Sequence, residues 1–307
     1  MQKGLMIRLY PNSSQINILN VIFGHTRFVY NYFLDYSKNN KDYKYTNWSK
    51  KLTELKNNEE TKFLKEADKF ALQNSLRNLK TAYDNYFSKR TKEPVFKKKH
   101  NEQSYRTNYT NNNIVLYRNG IKLPKLGIVK CKYNKDINNN KIISVTVKLL
   151  KSGIYEASII YECEEQLLEK TGNSVGIDLG VRKLITTSNN EKYISELDID
   201  RLNNKIRKEQ KKLSKCELHS NNWNKQRKRL AKVYQYKDNY MLDNIHKATK
   251  AIVTKYDVIY MEDLDIIDLL SKQKMKKQKR KMLTSSLGKI RILLEYKCKH
   301  YGKVLKR

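Results

Sequence analysis

Two acidic residues stand at the ends of short apolar runs that alternate in character. In residues 174–187 Val175, Ile177 and Leu179 alternate with Gly176, Asp178 and Gly180, which is the period of a strand with two unlike faces. Asp178 therefore projects from a face flanked by glycines. Further on, Val258, Tyr260 and Glu262 fall on one side and Ile259 and Met261 on the other, so a carboxylate again closes an apolar strand. Side by side, two such strands could share a divalent cation such as Mg²⁺, because hard cations take carboxylate oxygens as ligands and use them in phosphodiester chemistry. Taken singly, each acid serves equally well as a cap for the turn or helix that follows it.

The elements around the two acids must bring them together. After Asp178, residues 184–187, a turn at 188–190 and residues 192–194 read as a hairpin that continues an antiparallel meander. Basic helical stretches are predicted at 199–213 and 223–255, the second with a stripe of Met241, Ile245, Ala248 and Ile252 that packs on the sheet. The Glu262 strand follows, then a low-complexity basic run at 272–281, expected to be mobile without its ligand. Leu283, Leu287, Ile290, Leu294 and Cys298 mark a last helix, and a strand begins at 302–305.

The first half has a different texture. A strand over 4–10 is closed by Pro11 and Asn12, and Ser13 or Ser14 is placed to cap a helix over 15–35. Residues 38–62 read as a loop with one short helix near Trp48, and 67–88 as a stronger helix carrying Leu72, Leu76, Leu79, Tyr83 and Tyr86 at helical spacing. From 114 to 162 short β runs alternate with turn signals such as Asn119-Gly120 and Ser152-Gly153. That pattern predicts a small antiparallel barrel, completed by the N-terminal strand and interrupted by the helices.

Lys and Arg number 64 against 31 Asp and Glu, a net +33 over 307 residues. A polyanion is the natural partner of such a chain, and nucleic acid is favoured over a membrane surface. Candidates for contact on the helices are Arg27, Gln73, Asn74 and Arg77, whose long polar side chains suit a duplex. On the β module the candidates are Lys97, Lys98, Lys99 and Lys122 with Tyr105 interleaved, a mixture suited to phosphate contact and base stacking. The four cysteines are single and never form a Cys-x-x-Cys pair, which argues against a disulfide framework and a zinc ribbon within these residues. No apolar run is long enough to cross a membrane and the N-terminus lacks the form of a signal peptide, so a cytoplasmic protein is expected.

An Asp on the first strand of a meander, long helices and a Glu on a later parallel strand form the pattern of an RNase H-like fold. The chain resembles the TnpB family, transposon-encoded RNA-guided DNA endonucleases related to type V CRISPR effectors. The resemblance runs through RLYPNSSQ, RFVYNYFL, ALQNSLRNLKTAYDNYF, EPVFKKKH, IKLPKLG, SGIYEASI, VGIDLGVRKLITTS, YMEDL and LEYK, in that order along nearly the whole chain. It implies a multidomain α+β protein. Residues 1–12 and 96–170 would form a wedge-like β-barrel, 13–95 an inserted helical recognition lobe, and 171–307 a RuvC-like, RNase H-like domain.

The resemblance also implies a departure. Active members continue past the strand near Lys303 into a zinc ribbon and a motif with a third catalytic Asp; neither is found in these residues. Asp263, Asp265 and Asp268 follow Glu262 too closely to take that late position, and Glu295 precedes it. By resemblance the chain is expected to act like the nuclease-dead TnpB-like repressors (TldR). It would bind a guide RNA and occupy target double-stranded DNA beside a short adjacent motif in the bacterial nucleoid, thereby repressing transcription. Asp178 and Glu262 would be a remnant pair that holds Mg²⁺ weakly, with Mg²⁺ not required for binding and no zinc. The alternatives are an active RNA-guided DNA endonuclease and a decayed transposon product with non-specific nucleic-acid affinity.

Overall fold

The first helix starts where a polar side chain can satisfy its free backbone donors. Asn12 Oδ1 accepts from the Gln15 amide at 2.9 Å while Gln15 Oε1 accepts from the Asn12 amide at 3.1 Å, a reciprocal cap. Helix α1 thus runs Ser13–Asn40 with Asn12, not a serine, as its cap. The computed structural model describes residues 1–100, 102–133, 137, 140–180, 183–195, 197–262 and 287–307. Asp263, Asp265, Asp268, Leu283 and the basic run 272–281 lie outside the described residues. The chain divides into two units, residues 2–163 and 164–307, with Met1 grouped with the second.

In the first unit, α1 packs with α2 (Tyr45–Asn57) and α3 (Lys69–Phe87), joined by a 3₁₀ segment at Glu59–Glu66. Most of the stretch read as a loop is therefore helical. The reason is an apolar stripe of Trp48, Leu52 and Leu55, all buried, with the Trp48 ring between Phe33 and Tyr83. Asp68 caps α3 through the Ala71 amide.

Seven strands complete this unit: β1 (Gln2–Tyr10), β2 (Gln103–Asn108), β3 (Val115–Tyr117), β4 (Gly120–Leu123), β5 (Gly127–Lys132), β6 (Ile142–Leu149) and β7 (Tyr155–Glu162). They form one antiparallel sheet in the order β2-β6-β7-β1-β5-β4-β3. β1 lies in the middle, paired with β7 over eight positions. Among the described residues no ladder joins β2 to β3, so the expected barrel is seen as a sheet with two edges. Its inner face carries Ile7, Leu9, Val129, Val145, Val147 and Ile159, all buried. Each alternates with an outward polar or exposed neighbour, as period 2 requires.

The second unit holds β8 (Ser174–Asp178), β9 (Lys183–Thr187), β10 (Lys192–Ser195), α4 (Leu197–Ser214), α5 (Asn221–Lys255), β11 (Val258–Met261), α6 (Leu287–Tyr301) and β12 (Val304–Lys306). The sheet order is β10-β9-β8-β11-β12. β8, β9 and β10 are an antiparallel meander, while β11 and β12 lie parallel to β8. Met241, Ile245, Ala248 and Ile252 of α5 share one core with Val175, Ile177, Ile259 and Met261 of the sheet and Ile290 and Leu294 of α6. Complete burial of one such Ile is worth about 2 kcal/mol.

A polar clasp ties the entry of this unit to its far edge. Asp257 Oδ2 accepts from the amides of Thr171 (2.8 Å) and Gly172 (2.7 Å), and Lys303 Nζ, buried, donates to Asp257 Oδ1 at 2.5 Å and to the Glu169 carbonyl at 2.6 Å. These donors, the Lys303 ammonium first, hold the Asp257 carboxyl down at about 2. Gly302 precedes the lysine at φ +67°, pressed against Leu167.

Candidate functional site

The alternation read in the sequence is realised in both strands. Val175, Ile177, Ile259 and Met261 are buried, whereas Asp178, Tyr260 and Glu262 are exposed. In the β8/β11 ladder Gly176 faces Tyr260 and Ile177 faces Met261. One step further along these parallel strands stand Asp178 and Glu262, on the same solvent-facing side. Asp178 ends β8 and Glu262 directly follows the last residue of β11, and neighbouring strands lie about 4.8 Å apart. Gly176 keeps the face low beside them. Its amide donates to Ser188 Oγ at 3.2 Å. Lys306 of β12 reaches over the Tyr260 ring at 5.3 Å and brings a positive charge to the same face. Among the described residues no group of three or more His, Cys, Asp or Glu side chains is arranged to hold a metal; the acidic feature is this pair.

The four cysteines are free thiols, and Cys131 and Cys298 are buried. Burial raises both thiols, Cys298 to about 11. Among the described residues no helix is long and apolar enough to cross a membrane.

The nucleic-acid candidates of the first unit fall in different places. Arg27, half-buried on α1, donates from Nη1 to Gln103 Oε1 at 2.9 Å. Gln73 is half-buried on α3 and Arg77 exposed, its guanidinium 5.5 Å from the Tyr45 ring centre. Lys97, Lys98 and Lys99 are exposed in the segment after α3, and Asn31 fixes the backbone of Lys97 with two hydrogen bonds. The Lys97 ammonium folds back to 3.9 Å from the Tyr30 ring centre, and the water it loses there lowers its pKa. Lys122 is exposed on β4.

Two candidates require correction. Tyr105 does not offer a ring for stacking at the surface: it is only 4 % exposed and packs on Phe23 at 5.9 Å between ring centres. Burial, with the charge of Asp68 adding to it, pushes its phenol pKa up. Asn74 is buried as well, and its Nδ2 donates to the Arg106 carbonyl at 2.9 Å and to Asn108 Oδ1 at 3.2 Å. It satisfies the open edge of β2, and a side chain so engaged is not free to read a duplex.

The structure adds residues that the sequence reading passed over. Arg8 and Tyr10 lie on the outer face of β1, opposite Lys132 and Lys130 of β5, with the Arg8 guanidinium 5.1 Å from the Tyr10 ring centre. The signal was present in the strict alternation of Arg8 and Tyr10 with the buried Ile7 and Leu9. Arg106 of β2 is another; with Arg27, Lys97 and Lys98 it lines a cleft of about 260 Å³ between α1, α3 and β2. Lys122 does not border that cleft, and neither does Gln73.

Comparison with known proteins follows the same lines. The OrfB_IS605 family model described as "Probable transposase" matches residues 158–282, and the HTH_OrfB_IS605 model, described as "Helix-turn-helix domain", matches residues 1–44. In this chain the latter span forms a strand and one long helix. A relative from Streptomyces pristinaespiralis named "Putative RNA-guided DNA endonuclease" is 29% identical, aligned over 99% of this chain and 76% of its own length. One from Escherichia coli K12, "Putative RNA-guided DNA endonuclease InsQ", is also 29% identical, over 87% of this chain and 67% of its own. The solved structure titled "Cryo-EM structure of CRISPR-Cas12f Ternary Complex" aligns with 95% of this chain and 70% of its own at 13% identity, with a TM-score of 0.35 that is too low to carry an assignment. Two models of the IS605 OrfB group thus match near the start of the chain and through its second half, and the two relatives align along most of it, so the chain is similar to the IS605 OrfB proteins.

Proposed function

We propose that this chain binds DNA under the direction of a guide RNA and that Asp178 and Glu262 are its cation-holding pair for phosphodiester chemistry. The observation that supports the reading is that β8 and β11 pair in parallel up to Ile177 and Met261, the residues immediately before Asp178 and Glu262. An antiparallel meander extended by two parallel strands is the sheet order of an RNase H-like domain, which supports a RuvC-like role for residues 171–307. The names of the two relatives point the same way.

The donor set suits Mg²⁺: two exposed carboxylates, oxygen donors of the kind a hard cation takes. Bound there, the ion would supply charge neutralisation at a phosphodiester. The chain's own part is to hold both acids in register and to keep the face clear through Gly176. Guide pairing would read the target sequence, and the helices and sheet of residues 2–163 would contact the adjacent motif and the strand backbones. A net charge of +33 supports that division of labour. Repression by occupancy uses the same binding architecture as cleavage, and no observation favours it over cutting.

The test is to co-express the chain with its RNA, sequence that RNA, and offer duplexes that match or mismatch its 3′ end. Guide-matched binding is expected. Cleavage that needs Mg²⁺ and is lost on Asp178→Ala and on Glu262→Gln, with binding retained, would establish the role of the pair. Binding indifferent to guide sequence and steeply dependent on salt would overturn the proposal.

A further inference from the structure

Ser188 stands where β9 runs out and the chain turns toward β10. Its amide donates to the Gly176 carbonyl at 2.8 Å, and its Oγ accepts from the Gly176 amide at 3.2 Å. In a continued antiparallel ladder that amide would donate to the carbonyl opposite it; here the hydroxyl takes that place because the backbone is already turning. The turn is closed on itself and anchored beyond. The Thr187 amide donates to the Glu191 carbonyl at 3.0 Å, and the Glu191 amide to Thr187 Oγ1 at 3.1 Å. Asn189 Nδ2 donates to the Tyr256 hydroxyl at 3.1 Å, while the Glu191 carboxylate accepts from the Tyr193 hydroxyl at 2.9 Å and from the Lys255 ammonium. Tyr256 is buried shortly before β11 begins at Val258. Ser188 is therefore held between the strand of Asp178 and the entry to the strand that leads to Glu262.

We infer that Ser188 is the positioning residue that sets the height of Asp178 on the sheet, an inference that rests on the cation-holding role given to Asp178 and Glu262 above. The side-chain pattern of β9 does not set it. Leu184 and Ile185 are consecutive and both buried, and Thr187 is buried too, so no alternation distinguishes one register from the next. The ladder between β8 and β9 is short as well, with Ile177 opposite Thr187 and Asp178 opposite Thr186. A slip of one residue would turn Asp178 toward the core. A slip of two would keep its face and carry the carboxylate about 7 Å along the strand. The paired bonds between Gly176 and Ser188 add a further fixed point just before the acid, and the anchored turn keeps that point from moving.

The test uses the full chain, freed of nucleic acid at high salt. Gly176 is the one glycine that follows a valine, so labelling with ¹³C-carbonyl valine and ¹⁵N-glycine singles out its amide by NMR. Mn²⁺ serves as the probe of the acid pair, followed by the broadening it imposes on that signal. Ser188→Ala is expected to speed hydrogen exchange at Gly176 about tenfold, the loss of one hydrogen bond. It should also weaken Mn²⁺ binding by roughly tenfold, as for residues that orient a metal ligand indirectly. Ser188→Thr, which keeps the hydroxyl, should restore both. Where Ser188→Ala does not fold, Ser188→Cys takes its place, since its sulfur fills the space and accepts poorly. A merely structural role would lower the melting temperature and leave Mn²⁺ affinity at the wild-type value. Mn²⁺ binding that is lost on Asp178→Ala and indifferent to Ser188→Ala would overturn this inference alone, as would unchanged exchange at Gly176. Binding that survives Asp178→Ala would overturn the cation-holding reading and this inference with it.

Discussion

Lys297 of α6 is 5 % exposed and donates from Nζ to the His246 carbonyl at 2.6 Å and to Thr249 Oγ1 at 2.7 Å. Burial, then the charge of Lys250, pulls its pKa from 10.5 to about 8. At about 1.4 kcal/mol per unit, keeping this ammonium charged near neutral pH costs the fold roughly 3 kcal/mol relative to the unfolded chain. Lys297→Met removes the charge and retains much of the volume. It orphans little, because the His246 carbonyl lies within α5 and Thr249 Oγ1 donates to the Ile245 carbonyl at 2.6 Å. The variant is expected to be more stable by about 2 kcal/mol near neutral pH, within the range seen when buried charges become hydrophobic.

The pH dependence follows from the sign of that shift. The folded pKa lies below the unfolded one, so the destabilisation is complete below about pH 8. It is relieved between about 8 and 10.5, where the folded chain sheds the proton and the unfolded chain keeps it. Urea denaturation of both proteins should show a gap that closes across this window. His246, held down by burial and then by Lys297, should titrate higher in the variant by NMR. A variant less stable than the wild type, or a gap constant with pH, would show that the two hydrogen bonds outweigh desolvation and would refute the reasoning.

Three further outcomes are expected. Tyr105→Phe removes a buried donor without a partner and should raise the melting free energy by about 1 kcal/mol; a loss in a denaturant titration would mean that the hydroxyl is satisfied. Asp257, held at about 2 against an ordinary 3.8, adds stability that is present above about pH 4 and lost as pH falls toward 2. Asp257→Asn should flatten that part of the melting-temperature profile, and an unchanged acid limb would count against the clasp. Gly302→Ala places a Cβ 2.8 Å from Leu167 Cδ2 at φ +67°, for a loss of about 1–3 kcal/mol. Leu167→Ala in the same chain should recover the steric part, and thermal melts of the single and double variants measure it.

The sequence made the second unit easy to read because its strands are half-buried and therefore alternate. Val175 and Ile177 against Gly176 and Asp178 give both the strand and the side on which the acid stands, and Ile259 and Met261 do the same for Glu262. In the first unit the same logic failed at β2, whose residues Gln103 to Asn108 include no aliphatic side chain. The inward positions are Tyr105 and Thr107, so no apolar alternation marks the strand and from sequence Tyr105 reads as a surface ring. Asn74 misled for a related reason: an amide at a helix position looks solvent-facing unless one knows that an unpaired strand edge lies opposite it. Trp48, by contrast, signalled a helix whose extent its polar neighbours concealed. Long-range partners of polar residues leave no periodic trace in a sequence.

The register between β8 and β11 has a consequence for the time at which the acid pair comes into being. Asp178 leaves the ribosome early, followed by the meander and the two long helices, and its counterpart arrives only after α5 is complete. A parallel crossover of this length closes slowly, since chain entropy must be surrendered before the ladder repays it. A nascent chain that ends anywhere short of Met261 has a hairpin with a lone carboxylate and no partner strand beside it. A chain made only as far as the first unit thus carries its cationic surface before either Asp178 or Glu262 has been made.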